Sequence, residues 1–323
     1  QQAGLNALNR GEIDRAINHF EKATLIQNQN YRIYQGLVQV NMEKIRSLVG
    51  RASQGENVQQ DFQSTVAQAI QAAQNATRLY PNEPLVWRTQ GALYELIIPF
   101  VQGAEQSALT SYKQASVLDP VNPAIYTDAA RAVLTYSDRL QFLAGQASES
   151  EKEQFEAIRA AALQEVRAQL GRSLELKPDY ATAHFLAAQA ALRQGNAKSA
   201  IESAERAKLS APFDTGIAFQ LGLLHYQNND LNRAEAEFQR AISLNSDYSN
   251  ARYFLGLIHD RRGERAKAIE QFEKVAALNP GNDEIPKILV NLRDGRDALR
   301  GISPPGPAPE RRPGTPVNEE APR

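Results

Sequence analysis

The chain has 323 residues, with 36 basic side chains against 37 acidic ones and a net charge of −1. That balance, with both signs interspersed, argues against a nucleic-acid surface. The absence of cysteine excludes disulfides, thiolate metal sites and a cysteine nucleophile. The longest apolar candidate for a membrane span, Leu96 to Val101, is short and broken by Pro99, so no insertion into a bilayer is expected.

The chain opens on Gln1 rather than Met, which leads us to expect that an initiating segment, a signal or an anchor has been removed. Gly4, Gly11, Ala16, Phe20 and Ala23 then follow at a spacing that recurs at Gly256, Gly263, Ala268, Phe272 and Val275. The pattern is that of two short helices joined by a tight turn, the first helix being cut short. A truncated first helix leaves an end face without the polar cap that terminal repeats carry, a face that self-association would cover.

A second unit runs from about 29 to 83, with Gly36 in its first helix and Ala69, Ala73, Ala76 and Pro81 in its second. The interval between the two helices is longer than in the regular units. Ile45, Leu48 and Val49 continue the first helix, Gly50 to Gly55 make the turn, and Val58 to Ile70 begin the return. The third unit, 84–122, carries Trp87, Gly91 and Tyr94, then Ala108, Tyr112, Ala115 and Pro120, with Pro99 and Gly103 marking the break. The fourth, 123–180, opens on Pro123 and has another lengthened interval, in which Ser148 or Ser150 caps the second long helix. Ten or twelve additional residues per helix would extend these two hairpins by roughly 15 Å. Either they are inherited insertions or they form a second contact surface.

From 181 to 282 a 34-residue period is explicit. The columns are Ala188, Gly222, Gly256; Gly195, Asn229, Gly263; Ala200, Ala234, Ala268; Ala204, Phe238, Phe272; and Pro212, Ser246, Pro280. Each unit has a small residue where helices approach closely, a Gly or Asn where the chain reverses, and a Pro or Ser after the second helix. A pair of short amphipathic helices cannot bury its apolar face alone, so successive pairs must stack. After them, Ile285, Ile288, Leu289, Leu292 and Leu299 share one helical face and predict a capping helix over Glu284 to Leu299. From Ile302 onward, Pro304, Pro305, Pro307, Pro309, Pro313, Pro316 and Pro322 make a tail that favours polyproline II and cannot pack a core.

These columns resemble the tetratricopeptide repeat (TPR) family, the last unit best, with Leu255, Gly256, Ala268, Phe272 and Pro280 at the family's spacing. His184, Ala218 and Arg252 stand where the family signature has its first aromatic. The resemblance implies an all-α, right-handed superhelical solenoid of about seven repeats, at 1–28, 29–83, 84–122, 123–180, 181–214, 215–248 and 249–282. A capping helix at 283–301 and the proline-rich tail at 302–323 complete the expected organisation. It also implies a concave face lined by the first helix of each pair. The columns there are Phe185, Phe219, Tyr253; Gln189, Leu223, Leu257; and Leu192, Tyr226, Asp260. The Lys and Asn with which family members clamp a peptide carboxylate are missing from these columns, which disfavours such a ligand. Two readings stay open for the aromatic row: the rings pack on one another across repeats, or they receive an extended proline-rich segment.

No catalytic constellation and no metal or cofactor motif is found. His225 and His259 lie one period apart and read, like His19 and His184, as packing residues rather than ligands. Asn75-Ala76-Thr77 fits a glycosylation acceptor but falls within a predicted helix.

The expected function is therefore a non-enzymatic scaffold acting on protein partners, first of all copies of itself. A groove of Phe185, Phe219, Leu223, Tyr226, Tyr253 and Leu257 would take a tail carrying Pro304, Pro305, Pro307 and Pro309, head to tail, in an oligomer or filament. The alternative is a monomeric adaptor for a foreign apolar or proline-rich peptide. Ile288 to Arg296 with the proline-rich end also resembles, loosely, the close of repeat domains on bacterial surface or glycan-ligase-type membrane proteins. That resemblance implies an extracytoplasmic bacterial setting.

Overall fold

The computed structural model describes residues 2–26 and 30–302. Among them the chain is all-α: fifteen helices and no strand. It divides into two compact units, residues 1–212 and 213–323.

The first unit contains α1 (Gln2–Asn9), α2 (Ile13–Ile26), α3 (Tyr31–Ala52), α4 (Gln59–Leu79), α5 (Pro84–Ile97), α6 (Ala104–Leu118), α7 (Pro123–Ala144), α8 (Glu149–Leu176), α9 (Ala181–Arg193) and α10 (Ala197–Ser210). The helices pack pairwise in chain order because a glycine admits its partner's ring. A Cβ on Gly91 would stand 2.6 Å from the Tyr112 ring, and the buried Phe20 ring lies against both Gly4 and Gly36. Where the small residue is Ala188, the position of the ring is taken by Ala204, and both are fully buried. Contact volume is thus kept by exchanging a glycine–aromatic pair for two alanines.

Two hairpins are long. The helices α3, α4 and α7 have 22, 21 and 22 residues, and α8 has 28, against 13 or 14 in α9 and α10. Eight extra residues lengthen a helix by about 12 Å, and α8 exceeds that by roughly another turn and a half. The turn expected over Gly50 to Gly55 is shorter in the structure. Helix α3 continues through Gly50 to Ala52, and Gly55, at φ 89°, reverses the chain. At the second tip the N–H and hydroxyl of Ser148 both donate to Glu151, at 3.1 and 2.6 Å, which starts α8.

The break between α5 and α6 follows from Pro99, which lacks the N–H needed to continue the helix. The carbonyls freed there, on Ile98 and Val101, accept from Arg139 of α7 at 2.8 and 2.7 Å. Beside them runs a polar ladder between α5 and α7. Arg88 donates twice to Asp128, Arg131 donates to both Asp128 and Glu95, and the buried Tyr112 hydroxyl donates to Glu95 at 2.9 Å.

The second unit contains α11 (Thr215–Gln227), α12 (Leu231–Leu244), α13 (Ser249–Arg261), α14 (Arg265–Leu278) and α15 (Glu284–Arg293). Gly222 and Gly256 face the rings of Phe238 and Phe272, in each case 2.6 Å from an added Cβ. The turns are made by Asn229 at φ 59° and Gly263 at φ 74°. The expected capping helix is shorter than its apolar pattern suggests: α15 stops at Arg293, and Gly295, at φ 78°, turns the chain back. Leu299 still reaches the core, but from the returning strand of chain rather than from the helix.

Candidate protein-binding face

In the second unit, α11 and α13, each the first helix of its pair, meet through the rings of Phe219 and Tyr226 against Phe254. Residues one period apart along them form columns. Phe219 heads the first column and is only 9% exposed, its ring 5.2 Å from Tyr248, 5.7 Å from Phe238 and 5.9 Å from Phe254. Leu257 is 7% exposed, in the core formed with Phe272, Ile285 and Leu289. These two expected groove residues are core residues in the structure. Of the three rings around Phe219, Phe254 also stacks on Phe238, at 5.4 Å and 18°.

Leu223, Tyr226 and Tyr253 remain half-buried and line the face. The Tyr226 ring meets the edge of Phe254 at 5.3 Å, and the exposed Arg261 guanidinium lies over it at 4.4 Å. Tyr253 packs against Phe254 and Phe272, and its hydroxyl donates to Glu284 of α15 at 2.8 Å. Burial pushes both phenols above the ordinary tyrosine range, with Glu284 adding to the effect at Tyr253 and Asp260 at Tyr226. Both therefore present neutral aromatic rings, with no activated nucleophile. Asp260, in the same column as Tyr226, is half-buried, and its carboxylate accepts the N–H of Ala298 at 2.9 Å.

Phe185 belongs to the first unit, where it is half-buried on α9. Pro304, Pro305, Pro307 and Pro309 lie outside the described residues. The sequence columns missed Phe254, Arg261 and Glu284. Phe254 has Leu186 and Gln220 as its periodic equivalents, so no aromatic row announces it.

Three of the four histidines hold packing positions, and His19 does not. His184, His225 and His259 are buried, with a ring nitrogen of His184 2.9 Å from the Pro178 carbonyl and Nδ1 of His259 2.8 Å from Glu264. His19 is exposed. Among the described residues no group of three or more His, Asp or Glu side chains could hold a metal, and no helix is long and apolar enough to cross a membrane. In the Asn75-Ala76-Thr77 tripeptide, Thr77 is buried in α4 with its hydroxyl 3.3 Å from the Ala73 carbonyl.

A family model described as tetratricopeptide repeat matches residues 153–215 and 219–283. No curated protein gives a significant sequence match. Among solved structures, a tetratricopeptide repeat protein from Parabacteroides merdae aligns over 90% of this chain and 96% of its own, with a TM-score of 0.53 at 14% identity. The MamA protein aligns over 61% of this chain and 92% of its own, at 17% identity and a TM-score of 0.44. A thermophilic TPR protein of Thermus thermophilus aligns over 66% and 95%, at 17% identity and 0.45. Likeness at these identities concerns the fold alone. The repeat columns, the glycine–aromatic pairs and the matched segments agree: residues 153–215 and 219–283 carry tetratricopeptide repeats, and the all-α fold is like that of a solved protein of that kind.

Proposed function

We propose that the chain is a non-enzymatic scaffold and that the α11–α13 face of its second unit receives an extended apolar or proline-rich peptide. The observation carrying this reading is that Leu223, Tyr226 and Tyr253 keep accessible side chains on a base made rigid by Phe219, Phe238 and Phe254. Rigid, neutral tyrosine rings offer contact area at little entropic cost, and proline rings are suitable partners because their chain is already ordered. Isothermal titration of the full chain with proline-rich peptides tests it. Binding that falls about tenfold or more in Tyr226→Ala, with the melting temperature unchanged, supports the reading. Peptides that bind wild type and variant alike would place the site elsewhere.

A second reading, self-association, is favoured by exposed apolar side chains of the first unit. Phe142 near the tip of α7 is 65% exposed, and Phe100 is 50% exposed beside Phe62, with ring centroids 5.2 Å apart, at the rim of a cleft of about 270 Å³ with Leu48 and Val58. Copies joined through such surfaces would form an oligomer, or a filament where the contact does not close. We place such an assembly outside the cytoplasm of a bacterium, on the loose resemblance of Ile288 to Arg296 and the tail. Sedimentation over a range of concentrations distinguishes the two readings: a monomer throughout removes the second.

A further inference from the structure

We propose that a cavity between α6, α7 and α8 in the first unit binds a free α-amino acid with an apolar side chain, its carboxylate on Lys113 and its ammonium on Glu165. The site is independent of the peptide-binding reading above.

The cavity holds about 290 Å³. That is the lower end of the range in which proteins take small molecules, about 300–1,000 Å³, so it suits one amino acid rather than a nucleotide or a peptide. Leu109 and Lys113 line it one turn apart on α6, Ile125 and Ala129 from the start of α7, and Glu165 and Gln169 one turn apart on α8. Its inner wall is apolar: Ile125, Ala129 and the Tyr112 ring are buried, and Leu109 is half-buried. That wall is also fixed in place. The Tyr112 ring fills the space beside Gly91, and its hydroxyl is committed to Glu95 at 2.9 Å.

The polar groups at the rim divide into satisfied and waiting ones. The Ser116 hydroxyl donates to the Lys113 carbonyl at 2.8 Å, and that of Tyr126 to the Pro120 carbonyl at 3.2 Å. Two opposite charges are left. The Lys113 ammonium and the Glu165 carboxylate, both on exposed side chains, line one cavity, yet neither joins an ion pair among the described residues. Gln169 donates to Glu165 at 2.7 Å and so holds its carboxylate at the rim. A ligand with a single charge would answer one of these groups and set an apolar or like-charged end against the other. A zwitterion answers both, through charge-assisted hydrogen bonds, while its side chain gains by leaving water for the apolar wall. Bridging Lys113 of α6 to Glu165 of α8, it would also stabilise the folded chain by mass action.

Calorimetric titration of the full chain tests this with L-leucine and L-phenylalanine as probes. Beside them run analogues without the ammonium, isocaproate and hydrocinnamate, and analogues without the carboxylate, isoamylamine and phenethylamine. At least one amino acid is expected to bind about tenfold or more tighter than both of its analogues and to raise the melting temperature. In Lys113→Gln its advantage over the amine should disappear, and in Glu165→Gln its advantage over the carboxylate. Both side chains are exposed, so the unliganded variants should melt as wild type does. No saturable binding of either amino acid up to about 10 mM overturns the inference. An analogue that binds as tightly as its amino acid also overturns it, because recognition is then of one charge only. So does discrimination that survives in either variant, which would place the ligand away from Lys113 or Glu165.

Discussion

The carboxylate of Asp260, near the end of α13, accepts the backbone N–H of Ala298 at 2.9 Å across the turn that follows α15. One hydrogen bond thus ties the turn after α15 to the helix on whose face the repeat columns place a binding groove. Charge-assisted bonds of this kind are worth about 1.5–3 kcal/mol. Asp260→Ala is expected to destabilise the chain by about 1–2 kcal/mol and to speed amide exchange over residues 296–302 while leaving α11 and α12 protected. Uniform loss of protection would show that the bond is not local in its effect.

Phe219 and Tyr226 share α11 but should answer mutation differently. Phe219 is enclosed by Phe238, Tyr248 and Phe254, so Phe219→Ala should cost about 3–5 kcal/mol. Tyr226→Ala, half-exposed, should cost well under half of that and act on peptide binding instead. Chemical denaturation of the two variants measures the contrast.

The pairing of Gly256 with the Phe272 ring predicts a suppressible defect. An added Cβ meets that ring at 2.6 Å, so Gly256→Ala should destabilise by about 1–3 kcal/mol through overpacking. Phe272→Leu in the same chain makes room for the Cβ, and the double variant should lose less than the two single costs combined. Simple additivity would mean that the backbone, not the ring, absorbs the strain.

At the turn between α11 and α12, Asn229 holds φ 59°, where the equivalent turn after α13 has Gly263 at φ 74°. Asn229→Gly should be nearly neutral and Asn229→Val should cost about 1–2 kcal/mol, since a β-branched residue tolerates this region poorly. Melting temperatures of the two variants read this directly.

Tyr112 provides a pH dependence. Burial, reinforced by the negative charges of Glu95 and Asp128, holds its phenol well above the ordinary value. A folded-state pKa raised in this way contributes fully below the unfolded value of about 10, and that contribution is lost as pH rises through the folded value. Unfolding measured from pH 8 to 12 should therefore show a steeper alkaline loss in wild type than in Tyr112→Phe. Identical slopes would mean that the phenol stays protonated in the unfolded chain as well.

Much of this architecture is decided by the sequence alone. Gly222 and Gly256 with Phe238 and Phe272, and Gly195, Asn229 and Gly263 at the reversals, are local requirements of a helix–turn–helix unit, so they repeat visibly. The lengthened intervals of the second and fourth units are equally legible, because helix length is additive along the chain. The tertiary structure decided which members of a column stay accessible. Phe219 is buried because Tyr248 and Phe254 of the next pair close over it beside Phe238, whereas Tyr226 is half-covered by Phe254 and by Arg261. Likewise α15 ends at Arg293, although the apolar pattern runs on to Leu299, because Gly295 turns and Asn291, Asp260 and Arg265 hold the returning chain. Exposure and helix ends of this kind depend on partners many residues away, which no periodicity within the column contains.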